Sequence, residues 1–424
     1  MLVAIPLLAA TASLASAAPA KQGGIFRVGT TGASVQIDPQ VSYVTTGWWL
    51  EYATAAKLYN YPDKSGQAGG LLRPEVASGF TVSRDGRTYT FRIRKGFRFS
   101  DGTPVTAKNF TYAFRRVLNA KLNSSARALI NNVRFARTKG SELVIHLAEQ
   151  EPSFLTILAM PFFQATSTKL PLDHEVTGGY PSAGPYYFSD NDLNVLTSIR
   201  KNPYWHGNRP RHLAGADVHW NQPAGDSTDF DLASVAGDRA QTLAQHFGVN
   251  KARFWVEPSS CVGYVGFNPK GRFGTDRVMR QSISWALDRT AYSEAAGPFA
   301  GRPWTHLLSP VTPGSVTAPK RQPYSLRPDL QRAQSLAAGH FGDGKLAIGY
   351  EQTGAGPAQA QIVRQNMIAL GFDSANIQLN PMPRGDVYGP QPTPEWDLWV
   401  GIGWCSEVDA LTDLKSVLGL WRDS

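Results

Sequence analysis

The stretch from Phe97 to Leu118 joins two periods of hydrophobicity that belong to different secondary structures. Just upstream, Tyr89, Phe91 and Ile93 alternate with Thr90, Arg92 and Arg94, which predicts a half-buried strand with one apolar and one basic face. Asp101-Gly102 then turns the chain, Pro104 keeps the next residues extended, and Thr106 is placed to cap a helix. Phe110, Ala113, Phe114, Val117 and Leu118 recur on one face of that helix. Asn109 stands where a capping box takes Glu or Gln, so only half of that device is expected, at a surface position. Arg115 and Arg116, like Arg92, Arg94, Lys95 and Arg98, fall on the polar faces and are expected to be solvated. A hairpin feeding a packed helix points to an α/β chain.

At 424 residues, 42% hydrophobic and 11% aromatic, the chain can bury more than one core, and two or three domains are expected. The net charge of +9 admits an anionic partner in principle, but the basic residues are scattered, and no nucleic-acid binding is expected. Leu2 to Ala20 is apolar and ends in the small-residue runs Ala15-Ser16-Ala17 and Ala18-Pro19-Ala20, which reads as a secretory signal over residues 1–20, although a basic leader is lacking. The protein is therefore expected to be periplasmic or extracellular, and no cysteine follows either cleavage point to carry a lipid. The eight histidines lie apart, with no His-Glu-x-x-His helix, Cys-x-x-Cys pair, Gly-x-Ser-x-Gly elbow or phosphate loop. An enzyme is not expected, nor a cofactor or a metal.

The Phe97–Leu118 segment resembles the signature of the extracellular solute-binding proteins of family 5, the oligopeptide, dipeptide and nickel receptors of ABC importers. Further segments match that family in order. Gly23 to Gly29 is an entering strand, Ile37-Asp38-Pro39 is its turn, and a helix is expected around Trp49 to Leu58. Ser182 to Phe188 and Arg200 to Trp205 match two later motifs, and a Arg84-Asp85-Gly86 turn sets the hairpin register. Cys261 to Asn268 reads as a buried-type strand, followed by a helix capped by Thr275 and the run Ala286-Leu287-Asp288-Arg289. Leu346–Tyr350, Ala358–Leu370 with Gly371 as its stop, and Ile377–Leu379 form a βαβ unit, the mark of a parallel sheet.

The resemblance implies a two-lobed periplasmic-binding-protein-like fold of type II with an additional subdomain in the first lobe. Residues 21–58 and 165–258 would form lobe I, 59–164 the extra subdomain and 259–424 lobe II. A peptide would bind between the lobes, and the closed, monomeric receptor would deliver it to an ABC permease complex. By position in the family, Tyr43, Val44, Thr45 and Trp48 line the cleft. The strand from Trp396 resembles the segment where Gly403, Trp404 and Cys405 present backbone groups to a peptide and an acid holds its amino terminus. That acid falls on Glu407, with Asp409 as the alternative and helix capping as a competing role for both. Family receptors bridge the positions of Cys261 and Cys405, so a disulfide is expected between them. Trp48, Trp396, Trp399 and Trp404 are candidate pocket walls, some of which an alternating strand must send into the core. Relatives continue past the region of Leu418, so a C-terminally incomplete second lobe is expected. Binding of a nickel complex or another small solute, or a truncated non-transporting remnant, stays open as an alternative.

Overall fold

The structure, a computed structural model, describes residues 22–30, 36–64, 69–222, 229–235, 237–251, 253–256, 260–312, 315–316, 322–383 and 396–405. From the amino end, β1 (Ile25–Gly29) leads to α1 (Thr45–Thr54), and β2 (Tyr59–Asn60), β3 (Arg73–Pro74), β4 (Ala77–Val82) and β5 (Thr88–Ile93) precede α2 (Ala107–Leu118). Next come β6 (Val133–Lys139), β7 (Glu142–Leu147), α3 (Phe154–Leu158), β8 (Tyr186–Asp192), β9 (Leu196–Lys201), β10 (Gly215–His219), β11 (Leu232–Ala233) and α4 (Gly237–Phe247). The remainder is β12 (Cys261–Phe267), α5 (Arg272–Thr275), α6 (Arg277–Ala286), α7 (Arg289–Ala295), α8 (Leu330–Ala337), β13 (Leu346–Glu351), α9 (Gly356–Leu370), β14 (Ile377–Met382) and β15 (Leu398–Cys405).

Among the described residues, three larger sheets and the two-stranded β2-β3 pair organise these elements. The first has the order β11-β1-β10-β9-β8, with β1 parallel to β10 and β11 and the hairpin strands antiparallel. Its core gathers Ile37, Leu50, Tyr180, Phe188, Ile199 and Trp220. The second, β4-β5-β7-β6, is antiparallel throughout. The alternation read at Tyr89, Phe91 and Ile93 is its buried face, and α2 lays Phe110, Ala113, Phe114 and Val117 into the same core. The third, β12-β15-β13-β14, contains the parallel β13-α9-β14 crossover, and Gly371 ends α9 at φ 132°, a conformation glycine adopts without a Cβ clash.

Several local expectations are corrected. The helix after the Asp38-Pro39 turn starts at Thr45 and ends at Thr54, so it overlaps the expected Trp49–Leu58 span but begins and ends four residues earlier. Among the described residues β12 is an edge strand with only Gly266 buried, because the sheet order gives it β15 as its one neighbour there. Thr275 closes α5, and Asp276 caps α6 instead, its Oδ1 accepting from the backbone N–H of Val278 (2.8 Å) and Met279 (3.0 Å). Asn109 completes the capping box, because its Oδ1 accepts from the Thr106 backbone N–H (2.8 Å). It is buried, and its Nδ2 donates to the Thr166 carbonyl (3.1 Å), a bond that a carboxylate at this position would lack.

The largest correction concerns Arg116, which is 0% exposed. Its guanidinium donates to both carboxylate oxygens of Asp38 (3.0 and 2.6 Å), to Gln40 Oε1 (2.5 Å) and to the carbonyls of Pro171 (2.7 Å) and His174 (3.2 Å). Burial without water is tolerated because every donor direction of the planar fork meets an acceptor. Asn109, Tyr112 and Arg116 share one flank of α2, and all three hold the backbone of the 166–174 segment, Tyr112 through its hydroxyl on the Leu170 carbonyl (2.6 Å).

Candidate ligand-binding site

The Ile37-Asp38-Pro39 turn is fixed from several sides before the chain enters α1. Asp38 accepts from the backbone N–H of Gln40 (2.9 Å) and Val176 (2.9 Å) as well as from Arg116. The Tyr180 hydroxyl donates to the Ile37 carbonyl (2.8 Å), and Gln40 Nε2 donates to Phe162 O (3.0 Å) and Thr166 Oγ1 (2.9 Å). A segment held this way presents the next residues rigidly, which a binding surface needs. Tyr43 and Trp48 stand on it, Val44 is half exposed, and Thr45 opens the helix. The Trp48 indole donates to Ser42 O (3.0 Å), and its ring meets Phe162 edge to face at 5.7 Å.

On the other side, β15 supplies Gly403, Trp404 and Cys405. It runs parallel to β13 from Leu398 to Val400 and antiparallel to β12 along its whole length. Between Trp399 and Ile402 it carries one residue more than β12 does between Gly266 and Tyr264, a β-bulge at Val400-Gly401. Gly401 sits at φ 77°, and a Cβ there would come within 2.9 Å of the Gly356 Cα. The Tyr292 hydroxyl fastens the bulge, accepting from the Gly401 N–H (3.1 Å) and donating to the Tyr264 carbonyl (3.3 Å). Beyond it Cys405 pairs with Cys261 across the ladder, and the two sulfurs are bonded.

The two elements meet. The Tyr43 ring lies 6.2 Å from that of Trp404, edge to face, and 5.4 Å from that of Phe162. Among the described residues, the buried indole N–H of Trp404 has no hydrogen-bond partner. Trp396 and Trp399 stand apart from this group, packed with Tyr264, Met382 and Ile402. Phe162, which sequence reasoning missed, completes the group; its only signal was the Pro161-Phe162-Phe163 run after α3. Glu407, Asp409 and the expected cleavage points lie outside the described residues.

One buried acid belongs to this framework. Glu51, on the turn of α1 after Trp48, is 0% exposed, and neither carboxylate oxygen completes a hydrogen bond among the described residues. Burial, reinforced by the nearby charge of Asp38 and only partly offset by the Ser42 hydroxyl and Lys57, holds its carboxyl well above the ordinary value of 4.5. Lys57 is itself pushed down to about 8 by burial, against the opposing pull of Glu75. The folded chain thus binds a proton at Glu51 that the unfolded chain releases, and stability falls as pH rises from 4.5 toward the folded value. Glu51→Gln, which keeps the neutral shape, is expected to match the parent below about pH 4.5 and to gain about 1–3 kcal/mol near neutrality. Denaturant unfolding across that range measures it; a parallel pH dependence in both proteins removes Glu51 as the source.

Two α/β sheets joined through the Tyr43–Trp404 contact, with an additional antiparallel subdomain built on β4, β5, β6 and β7, make a periplasmic-binding-protein-like fold of type II. The model of the bacterial extracellular solute-binding proteins, family 5 (middle), matches residues 72–419, and the chain belongs to that family. Protein XP55 of Streptomyces lividans is 28% identical over 250 residues, covering 55% of this chain and 44% of the relative. A putative ABC transporter peptide-binding protein of Brucella ovis is 25% identical over 340 residues, covering 76% and 62%. The chain thus spans less than two thirds of the curated relatives it matches. The solved structure of clavulanic acid biosynthesis oligopeptide binding protein 2 superposes with a TM-score of 0.76 at 20% identity, covering 91% of this chain and 77% of that one. No helix among the described residues is long and apolar enough to cross a membrane.

Proposed function

We propose that the chain is the exported substrate-binding component of an ABC importer, taking a peptide into the cleft and releasing it unchanged to a membrane permease. The observation that carries this reading is the Tyr43–Trp404 contact, which joins the α1 entrance to the end of β15 at one place. The fold division follows: residues 21–58 and 165–258 as lobe I, 59–164 as the extra subdomain and 259–424 as lobe II. Tyr43, Val44, Thr45 and Trp48 form one wall and Gly403, Trp404 and Cys405 the other. An extended peptide offers main-chain groups at regular spacing, so strand-like pairing along the end of β15 gives affinity while side-chain pockets tolerate variety. The Trp404 indole N–H is a ready donor for a peptide carbonyl. Glu407, two residues past Cys405, holds the ligand ammonium, since a buried charge is costly without a partner.

Native mass spectrometry of the purified mature chain, followed by titration calorimetry with whatever co-purifies, tests the reading. A bound peptide is expected, and Glu407→Gln is expected to weaken peptides with a free amino terminus by roughly 2–5 kcal/mol while leaving acetylated ones unchanged. Equal losses for both forms return Glu407 to helix capping. A chain that retains a metal chelate and ignores peptides overturns the peptide reading, and hydrolysis of the bound peptide overturns the receptor.

A further inference from the structure

The outward face of the β4-β5-β7-β6 sheet carries more cations than carboxylates, with none of them ion-paired among the described residues. Register places Arg92, Glu142 and Lys139 in one cross-strand row, Thr90, Val144 and Arg137 in the next, and Thr88, His146 and Phe135 in the third. The alternate residues of these strands form the core under α2, so the three rows face away from it. Arg92, Arg137 and Lys139 are exposed, as is Arg94 immediately beyond β5. Among the described residues none of the four forms an ion pair, and Glu142 is the only carboxylate in the rows. Several cations elsewhere on the surface are paired: Arg27 with Asp231, Arg87 with Asp85, Lys169 with Asp101, Arg200 with Asp217 and Arg327 with Asp288. In the third row the half-exposed Phe135 ring stacks on His146 (5.3 Å between centroids, 21° between planes), and the Arg137 guanidinium lies 4.8 Å from the Phe135 centroid.

We propose that this face docks on an anionic lipid surface, its arginines and lysine meeting headgroup phosphates while Phe135 sits at the headgroup level. The match is one of charge: an excess of exposed cations on one sheet face with an aromatic ring among them suits an interface whose negative charge is laid out in a plane. Nucleic acid suits it less well, since the one exposed ring in the rows already stacks on His146 and leaves little for bases to stack on. The inference rests on the reading of the chain as an exported receptor working beside a membrane, and it places the extra subdomain toward that membrane.

Co-sedimentation tests it, with vesicles of phosphatidylcholine alone and of phosphatidylcholine containing about a third phosphatidylglycerol, in low and in high salt. Binding to the anionic vesicles only, abolished by salt, is expected. The triple variant Arg92→Gln, Arg137→Gln, Lys139→Gln is expected to lose about tenfold or more in vesicle affinity with peptide affinity unchanged. A charge-matched control at exposed lysines elsewhere, Lys64→Gln, Lys251→Gln, Lys270→Gln, is expected to bind vesicles as the parent does. No binding to anionic vesicles in low salt, or an equal loss in both triple variants, overturns the proposal; so does binding of an oligonucleotide by a chain that ignores the vesicles. Vesicle binding is measured without peptide, so its failure is distinguishable from failure of the receptor reading.

Discussion

Arg116→Met is expected to destabilise the folded chain by about 3–5 kcal/mol, the range for removing one partner of a buried ion pair. The side chain is fully buried, and its loss strands the Asp38 carboxylate, which would keep only two backbone N–H donors, from Gln40 and Val176. It also leaves the Pro171 and His174 carbonyls without the guanidinium that reaches them. Denaturant unfolding measures the loss. Asp38→Asn in the same background is expected to recover part of it, since removing the charge removes the largest desolvation term. A loss below about 1 kcal/mol would mean that water enters and solvates Asp38. Because Asp38 opens the segment that carries Tyr43, the variant is also expected to bind ligand more weakly under conditions where it is fully folded.

The second large effect is expected at the disulfide. Cys261 and Cys405 are separated by 144 residues, and in the chain-entropy model releasing a loop of that size costs about 5 kcal/mol. The native state contributes little opposing change, because the two cysteines are already opposite one another in the β12-β15 ladder. Cys261→Ser with Cys405→Ser is therefore expected to lower the unfolding midpoint strongly while leaving the sheet formed. The comparison that checks it is parent with and without reductant beside the double variant. If all three unfold together, the cross-link does not restrict the unfolded chain.

The Phe97–Leu118 stretch was legible because its signals are local: alternation along β5, a turn at Asp101-Gly102 and a single apolar stripe on α2. Arg116 was misread because its reason for burial is not local. A helical stripe tells which residues face the core, and the flank bearing Asn109, Tyr112 and Arg116 is polar, so it reads as solvated. It is dry because the 166–174 segment crosses it and because Asp38 arrives from 78 residues earlier in the chain. The edge position of β12 was hidden for a similar reason, since Val262, Tyr264 and Phe267 look like core residues until the strand order is known. Of the proposed cleft residues, Tyr43, Trp48 and Trp404 came from position in the family, whereas Phe162 joins their ring cluster through the third dimension alone. Glu51 gave no sign, because an acid in the middle of a short helix is ordinary and only its burial without a completed hydrogen bond among the described residues makes it notable.

The bulge at Gly401 changes the phase of β15. Leu398 and Val400 face the core shared with α9, while Trp399 faces the other way. With strict alternation, Ile402 and Trp404 would join Leu398 and Val400; the additional residue puts Ile402 beside Trp399 instead, and Trp404 follows it. The face on which Trp404 lies is therefore a matter of counting. Deleting a single residue between Trp399 and Ile402 would remove the bulge and leave Ile402 and Trp404 on the Trp399 face, whereas straightening the bulge with both residues kept would turn Trp404 toward the face of Leu398 and Val400, and an alignment that assumes strict alternation through this region assigns the wrong face to every position after it.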